Sequence, residues 1–244
     1  MGQGPIIQEV EAPAEIARPT DSRQRILGLV VVLLMSFGRF TLSAFNSAIY
    51  GNPVYNSHQL QLGIAVALVA QASSLLLLWF VLSQQGHSWL DIGWNASLSD
   101  VMPGIALAVV CLPLALFTTS AFQVIYRTFT GHFLPYRSAH GMLGAGVSVL
   151  SIILVLLNPF FEELIVRGYT MTEVAGVTGS QILAILVSVL VQMSYHVYQG
   201  LGRCIGLAVT FTIFSIYFSK ERRIAPVILA HFLHDAYALF RLSA

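Results

Sequence analysis

The chain has 244 residues and a formal net charge of +1, with 56% hydrophobic residues and only 9% Asp, Glu, Lys and Arg, against roughly 25% charged in an ordinary soluble domain. So few charges, with a strongly positive mean hydropathy, leave too little polar surface to cover a body standing in water, which makes the bilayer the natural solvent. The cations include one lysine, Lys220, and form no basic stripe, so nucleic acid is not an expected partner.

Residues 1–25 carry Pro5, Pro13, Pro19 and several acids and read as a disordered tail; residues 26–244 read as one helical membrane domain. Crossing some 30 Å of hydrocarbon takes about 20 mainly apolar residues, and lipid offers open backbone groups no partner, so the spans are helices. Seven windows qualify: 26–45, 61–82, 101–125, 143–166, 181–198, 201–218 and 225–240. The expected fold is therefore an all-α polytopic transmembrane bundle of about seven to eight helices. Turns are expected at Asn52-Pro53, Gln84-Gln85-Gly86 and Gly176 to Gly179. Cys111 and Cys204 lie in apolar runs and read as small buried residues rather than a disulfide. Gly202 and Gly206, with Gly141, Gly144 and Gly146, suit close helix packing. With the N-terminus inside, Arg18, Arg23, Arg25, Arg167, Lys220, Arg222 and Arg223 fall inside and Arg127, Arg137, Arg203 and Arg241 outside. This bias favours a cytoplasmic N-terminus, and the expected location is a plasma (inner) membrane.

An ionisable residue within an apolar helix is costly unless paired, hydrated or used. Four places hold such residues: Arg39, the Glu162-Glu163 pair with Arg167, His196, and the group His231, His234 and Asp235. Glu163 and Arg167 are four apart on one helical face and can pair, while Glu162 is rotated by about 100° and stays available. Pro159 withdraws a backbone donor one turn before the acids, which predicts a kink and a wet pocket there. Glu162 and His196 are each 17 residues from Gly179, so a hairpin turning there brings them to one depth. His231 and Asp235 share a face at i and i+4, where a carboxylate can orient an imidazole. A turn at Lys220 to Arg223, however, sets His231 only about 12 Å deep, against about 25 Å for His196 at ~1.5 Å per residue. Each place also has a plainer reading. The two acids can end a helix in the headgroups, His196 can sit in an aromatic belt with Tyr195 and Tyr198, His231 and Asp235 can staple two helices, and Arg39 can snorkel.

A carboxylate in an apolar, partly hydrated pocket is a capable proton acceptor near neutrality, and nearby polar groups can orient a water and stabilise the oxyanion of an attacked amide. Neither G-x-S-x-G nor H-E-x-x-H occurs, so serine-hydrolase and zincin chemistry lack support. Glu162-Glu163-Leu164-Ile165-Val166-Arg167 fits E-E-x-x-x-R, a histidine closes a later helix at His196, and His231-x-x-x-Asp235 fits H-x-x-x-N/D. In these elements and their order the chain resembles the CPBP intramembrane proteases, which include CAAX proteases, bacteriocin-processing enzymes and Abi proteins. Leu90-Asp91-Ile92-Gly93-Trp94 looks like that family's short linker before a span. The resemblance implies an intramembrane peptidase in which Glu162 activates water with His196 as partner and Glu163, paired with Arg167, gives support. In it His231 and Asp235 line the opposite wall and help hold the oxyanion. The substrate it implies is a membrane-associated peptide or protein, cut in C-terminal CAAX processing or in peptide maturation, with membrane lipid as the other partner. Two positions depart from the pattern: Gln192 stands where the family usually has Phe, and Asp235 where prenyl-protein proteases have Asn, so Asp235 cannot donate unless protonated. Glu and His ligands could hold zinc, but the same atoms serve a metal-free water, and the reading favours no tightly bound metal or other cofactor. A non-catalytic immunity or scaffold protein and an ion-coupled transporter are the competing readings.

Overall fold

The computed structural model describes residues 21–51, 55–134 and 148–243. Most of the expected tail, the Asn52-Pro53 turn, Arg137 and the glycines at 141, 144 and 146 lie outside the described residues. Helix α1, Ser22–Tyr50, opens where Asp21 accepts a hydrogen bond from the Arg23 backbone N–H, so it begins inside the stretch expected to be tail. A capping box of Asn56 and Gln59 starts α2, Ser57–Gln84. Helix α3, Val101–Thr130, ends on the left-handed Gly131. Next comes α4, Val149–Glu163, which runs through a π-helical stretch, Leu164–Met171, into α5, Thr172–Thr178. The remaining helices are α6, Gln181–Ser194, α7, Leu201–Glu221, and α8, Ala225–Ser243.

Each of the seven apolar windows holds a helix among its described residues, the window 181–198 only as far as Ser194, and no strand occurs among the described residues. The chain is an all-α polytopic bundle. Five helices are long and apolar enough to cross a membrane, while Gln181–Ser194 and Ala225–Phe240 are apolar but shorter. The expected seven full spans thus become five long and two short. Helix α6, at 14 residues, reaches only about 21 Å, because the chain leaves helical geometry at Tyr195. Leu34, Met35, Leu42, Phe117 and Leu190 are exposed on the outside of the bundle, where lipid tails would cover them.

The core surrounds the π-helix, whose eight residues are all buried. Helix α3 packs along α7 and α8, α2 along α4, and α6 along α7 and the π-helix. Gly206 lies against the Ala115 backbone and Thr119 of α3 with no room for a Cβ, the close approach that small residues permit between membrane helices. Both cysteines are free and buried. Pro159 stays within α4, and the departure from α geometry comes after the two acids rather than at the proline. Instead of ending near residue 166, the helix carries on to Thr178.

The Leu90–Trp94 linker resolves the mismatch in depth between His231 and His196. Ile92 is buried against Gly168 of the π-helix, and the Gly93 carbonyl accepts the Ile224 N–H at 3.0 Å. Arg222 Nη2 donates to Thr172 Oγ1 at 2.9 Å and to the Asp91 carbonyl at 3.1 Å. The α7–α8 turn is therefore seated at Thr172, seven residues and about 10 Å along the bundle from the Gly179 turn. From that level Glu163 is nine residues away along its own helix and His231 nine along its own, so the two meet. A two-point ion pair from Arg25 to Glu173, at 2.8 and 3.2 Å, fastens α1 to α5 at the same end. Arg223 pairs with Asp100 at 2.8 Å, which brings the start of α3 there as well. Arg167, counted in advance as a loop cation, is fully buried and paired and leaves that count.

Candidate active site

Two adjacent carboxylates on one helix point to different neighbours. Glu163 is fully buried, and its Oε1 accepts from Arg167 Nη1 at 3.2 Å and faces His231 Nδ1 at 2.6 Å. Arg167 is itself fully buried, with its guanidinium 5.1 Å from the centre of the Phe211 ring. Glu163 is thus a charge already matched and held from α8 and from the π-helix. Glu162 turns to α6, as the 100° between successive helical residues requires. Its Oε2 accepts from Gln192 Nε2 at 2.7 Å and from Tyr195 Oη at 2.9 Å. Its Oε1 accepts no hydrogen bond from the described residues. One oxygen is anchored and the other is free to take a proton.

Tyr195 is fixed by stacking on Phe37 of α1, with ring centres 4.7 Å apart. His196 follows it in the short turn between α6 and α7. Its Nδ1 lies 2.8 Å from the Gln192 carbonyl, and a carbonyl can only accept, so Nδ1 carries the hydrogen and Nε2 is left as an acceptor. Gln192 therefore anchors Glu162 with its side chain and His196 with its backbone, and Glu162 and His196 interact electrostatically. The hairpin with its turn at Gly179 brings this about, with the π-helical stretch absorbing the register.

On the other wall, Asp235 Oδ1 lies 3.6 Å from His231 Nε2, and Oδ2 accepts from Asn158 Nδ2 at 3.1 Å. Asn158 Oδ1 in turn accepts from Gln71 Nε2 of α2 at 2.8 Å. The sequence elements Glu162, Glu163, Arg167, His196, His231 and Asp235 thus converge in one cluster built from α4, the π-helix, α8 and the end of α6. Two polar residues weighed alongside them do not join it. His234 Nε2 donates to the Ala108 carbonyl of α3 at 3.2 Å, which turns it away from its neighbours on the same helical turn. Arg39 is exposed, as a snorkelling residue would be.

Sequence reasoning missed Gln71, Asn158 and the anchoring role of Tyr195. A signal existed for the first two: each is an uncharged amide within an apolar helix, and Asn158 lies one turn before Glu162 on the same face. Nothing in a linear sequence marks Tyr195 as facing inward rather than to an aromatic belt. Among the described residues no three His, Cys, Asp or Glu side chains are grouped so as to hold a metal ion, and Arg167 beside Glu163 would repel a second cation.

Residues 144–237 match the family model described as type II CAAX prenyl endopeptidase Rce1-like. That match supports a CPBP (CAAX protease) family assignment. It spans α4 to most of α8 and so contains every clustered residue except Gln71. The family named is one of proteases, and with the apolar helices it supports an integral multi-pass membrane protein. No curated protein and no solved structure matches the chain.

Proposed function

We propose that the protein is an intramembrane endopeptidase that hydrolyses a peptide bond with a water activated by Glu162. The observation that carries this reading is the division of labour between the two acids: Glu163 is completely buried, its charge matched through one oxygen by Arg167 and His231 and its other oxygen sealed off, whereas Glu162 is anchored through one oxygen and open at the other. A water held between Glu162 Oε1 and His196 Nε2 gives a proton to the carboxylate as its oxygen bonds to the peptide carbonyl carbon. The carbonyl electron pair moves onto the oxygen, and collapse of this intermediate breaks the C–N bond. The proton on Glu162 then passes to the leaving amine. His231, between Glu163 and Asp235, holds the far wall in place.

The substrate class that best fits the family is a membrane-associated peptide processed at its C-terminus in the CAAX manner. Membrane lipid is the second partner, and the cations Arg23, Arg25, Lys220, Arg222 and Arg223 gathered at one end argue for an N-terminus in the cytoplasm, with the plasma membrane as the proposed location. The test is Glu162→Gln, which keeps an oxygen for Gln192 and Tyr195 but cannot take a proton. Assayed on an internally quenched peptide ending in a farnesylated Cys-aliphatic-aliphatic-X sequence, its kcat should fall by about 10²–10⁴-fold with folded protein retained. Cleavage at the wild-type rate would remove Glu162 as the base and overturn the reading, and absence of cleavage by the wild type would leave a non-catalytic scaffold.

A further inference from the structure

Hydrolysis of an amide needs a donor aimed at the oxygen on which charge develops, and the cluster contains few groups able to serve. Asp235 is an acceptor, since it takes a hydrogen bond from Asn158 Nδ2. Tyr195 spends its only hydrogen on Glu162. Gln192 and Arg167 are completely buried, closed off from an incoming peptide. His196 presents a lone pair, and His231 has both ring nitrogens turned to carboxylates, Nδ1 to Glu163 at 2.6 Å and Nε2 to Asp235 at 3.6 Å.

Asn158 differs from all of these. Its amide orientation is dictated from both sides, because Gln71 Nε2 donates to Oδ1 at 2.8 Å and Asp235 Oδ2 accepts from Nδ2 at 3.1 Å. Flipping the Asn158 amide would set oxygen against the carboxylate and nitrogen against nitrogen, so only one orientation satisfies both contacts. An amide nitrogen carries two hydrogens, and the second one on Nδ2 has no acceptor among the described residues. Asn158 is half-buried, and the Asp235 side chain keeps 30% of its exposure, so the pair faces open space. Asn158 and Glu162 are four residues apart on one helical face, about one turn. An apolar cavity of about 280 Å³ between α4 and α8, lined by Ile152, Val155, Leu156, Phe232, Ala236 and Leu239, reaches within a turn of Asn158. It offers a path by which an apolar peptide segment comes up to the amide.

We propose that Asn158, oriented by Gln71, is a catalytic residue that donates a hydrogen bond from Nδ2 to the carbonyl oxygen of the scissile peptide. The inference rests on the protease reading above. As the water oxygen bonds to the carbonyl carbon and its proton moves to Glu162, the displaced electron pair settles on the oxygen that Asn158 holds. When the C–N bond breaks, the carbonyl re-forms and that hydrogen bond weakens. Asn158 itself gains and loses no proton.

The experiment uses the full chain in lipid nanodiscs and the same quenched farnesylated peptide, reading kcat and KM separately. Asn158→Leu removes the donor at similar volume, and kcat should fall about 10²–10³-fold with KM changed less than about threefold. Asp235→Ala should cost no more than about tenfold, and the double variant should lose at least as much as Asn158→Leu alone. Gln71→Leu, which frees the amide to turn, should fall between wild type and Asn158→Leu. If Asn158→Leu does not fold, Asn158→Ser against Asn158→Ala serves instead, and the hydroxyl should restore part of the rate. A wild-type kcat in Asn158→Leu overturns the proposal. So do equal losses in Asn158→Leu, Asp235→Ala and their double variant, since Asn158 would then only position Asp235. Absence of cleavage by the wild type overturns the protease reading and this proposal together, and an unimpaired Glu162→Gln chain overturns the Glu162-activated water on which the proposal rests. A disabled Glu162→Gln chain beside an unimpaired Asn158→Leu chain overturns the proposal alone.

Discussion

Arg167→Ala tests the electrostatic frame of the site more sharply than any other single change. Arg167 and Glu163 are both fully buried, with Nη1 and Oε1 3.2 Å apart. At an effective dielectric of about 20 their attraction is roughly 5 kcal/mol, set against the cost of having taken both charges out of water. Removing one partner of such a pair costs about 3–5 kcal/mol, mostly because the other charge is stranded. His231 Nδ1 stays 2.6 Å from the same carboxylate oxygen and shares the burden. The loss should therefore lie near the lower end, about 3 kcal/mol, or roughly 150-fold in the folded-to-unfolded ratio. Reversible unfolding in mixed micelles under rising dodecyl sulfate would measure it, with Arg167→Ala, Glu163→Gln and the double variant compared. The double variant, with no stranded charge, should recover most of the stability lost by Arg167→Ala. If Arg167→Ala unfolds within about 0.5 kcal/mol of wild type, or the double variant is no more stable than the single, the pair does not hold the site together as argued. That half-unit is the usual scatter for a surface change.

Two further outcomes follow from the same geometry. His196→Ala should lower kcat on the quenched peptide by about 10²–10⁴-fold while the protein still accumulates in the membrane, and an unchanged rate would remove His196 from the reaction. Gly93→Ala places a Cβ where φ is +86° and 2.7 Å from the Arg222 carbonyl oxygen. Left-handed backbone alone costs an L-residue about 1–2 kcal/mol, so unfolding should be easier by at least that much. Turnover should also fall, because the seat of the α7–α8 turn sets the depth of His231; a variant as stable as wild type would refute the account of that seat.

Fold class was legible in advance because hydrocarbon imposes a simple rule on sequence: long apolar runs must be helices, and each of the seven runs holds one among its described residues. The two short helices were harder to see. Apolar residues continue past Ser194, yet helical geometry stops there, and composition carries no mark of where a chain turns inside a bundle. The six site residues announced themselves by cost, since acids, imidazoles and a guanidinium within apolar segments are expensive to bury without partners. Amides are cheaper, so Gln71 and Asn158 passed as ordinary residues of their helices. Arg167 shows the opposite difficulty. In a linear count it looked like a loop cation, and only the continuation of α4 through the π-helix made it a buried counter-ion.

What the sequence by itself determined was the solvent, the helical class and the set of polar groups too costly to be idle, because each follows from local composition and the period of a helix. Tertiary structure alone decided which carboxylate is matched and which is open, since that depends on α6 and α8 lying on different sides of one helix. It also decided the depth at which His231 meets Glu163. That depth comes from the linker at Leu90–Trp94 seating a distant turn against Thr172 and Gly168, a contact between segments far apart in the chain that no local pattern encodes.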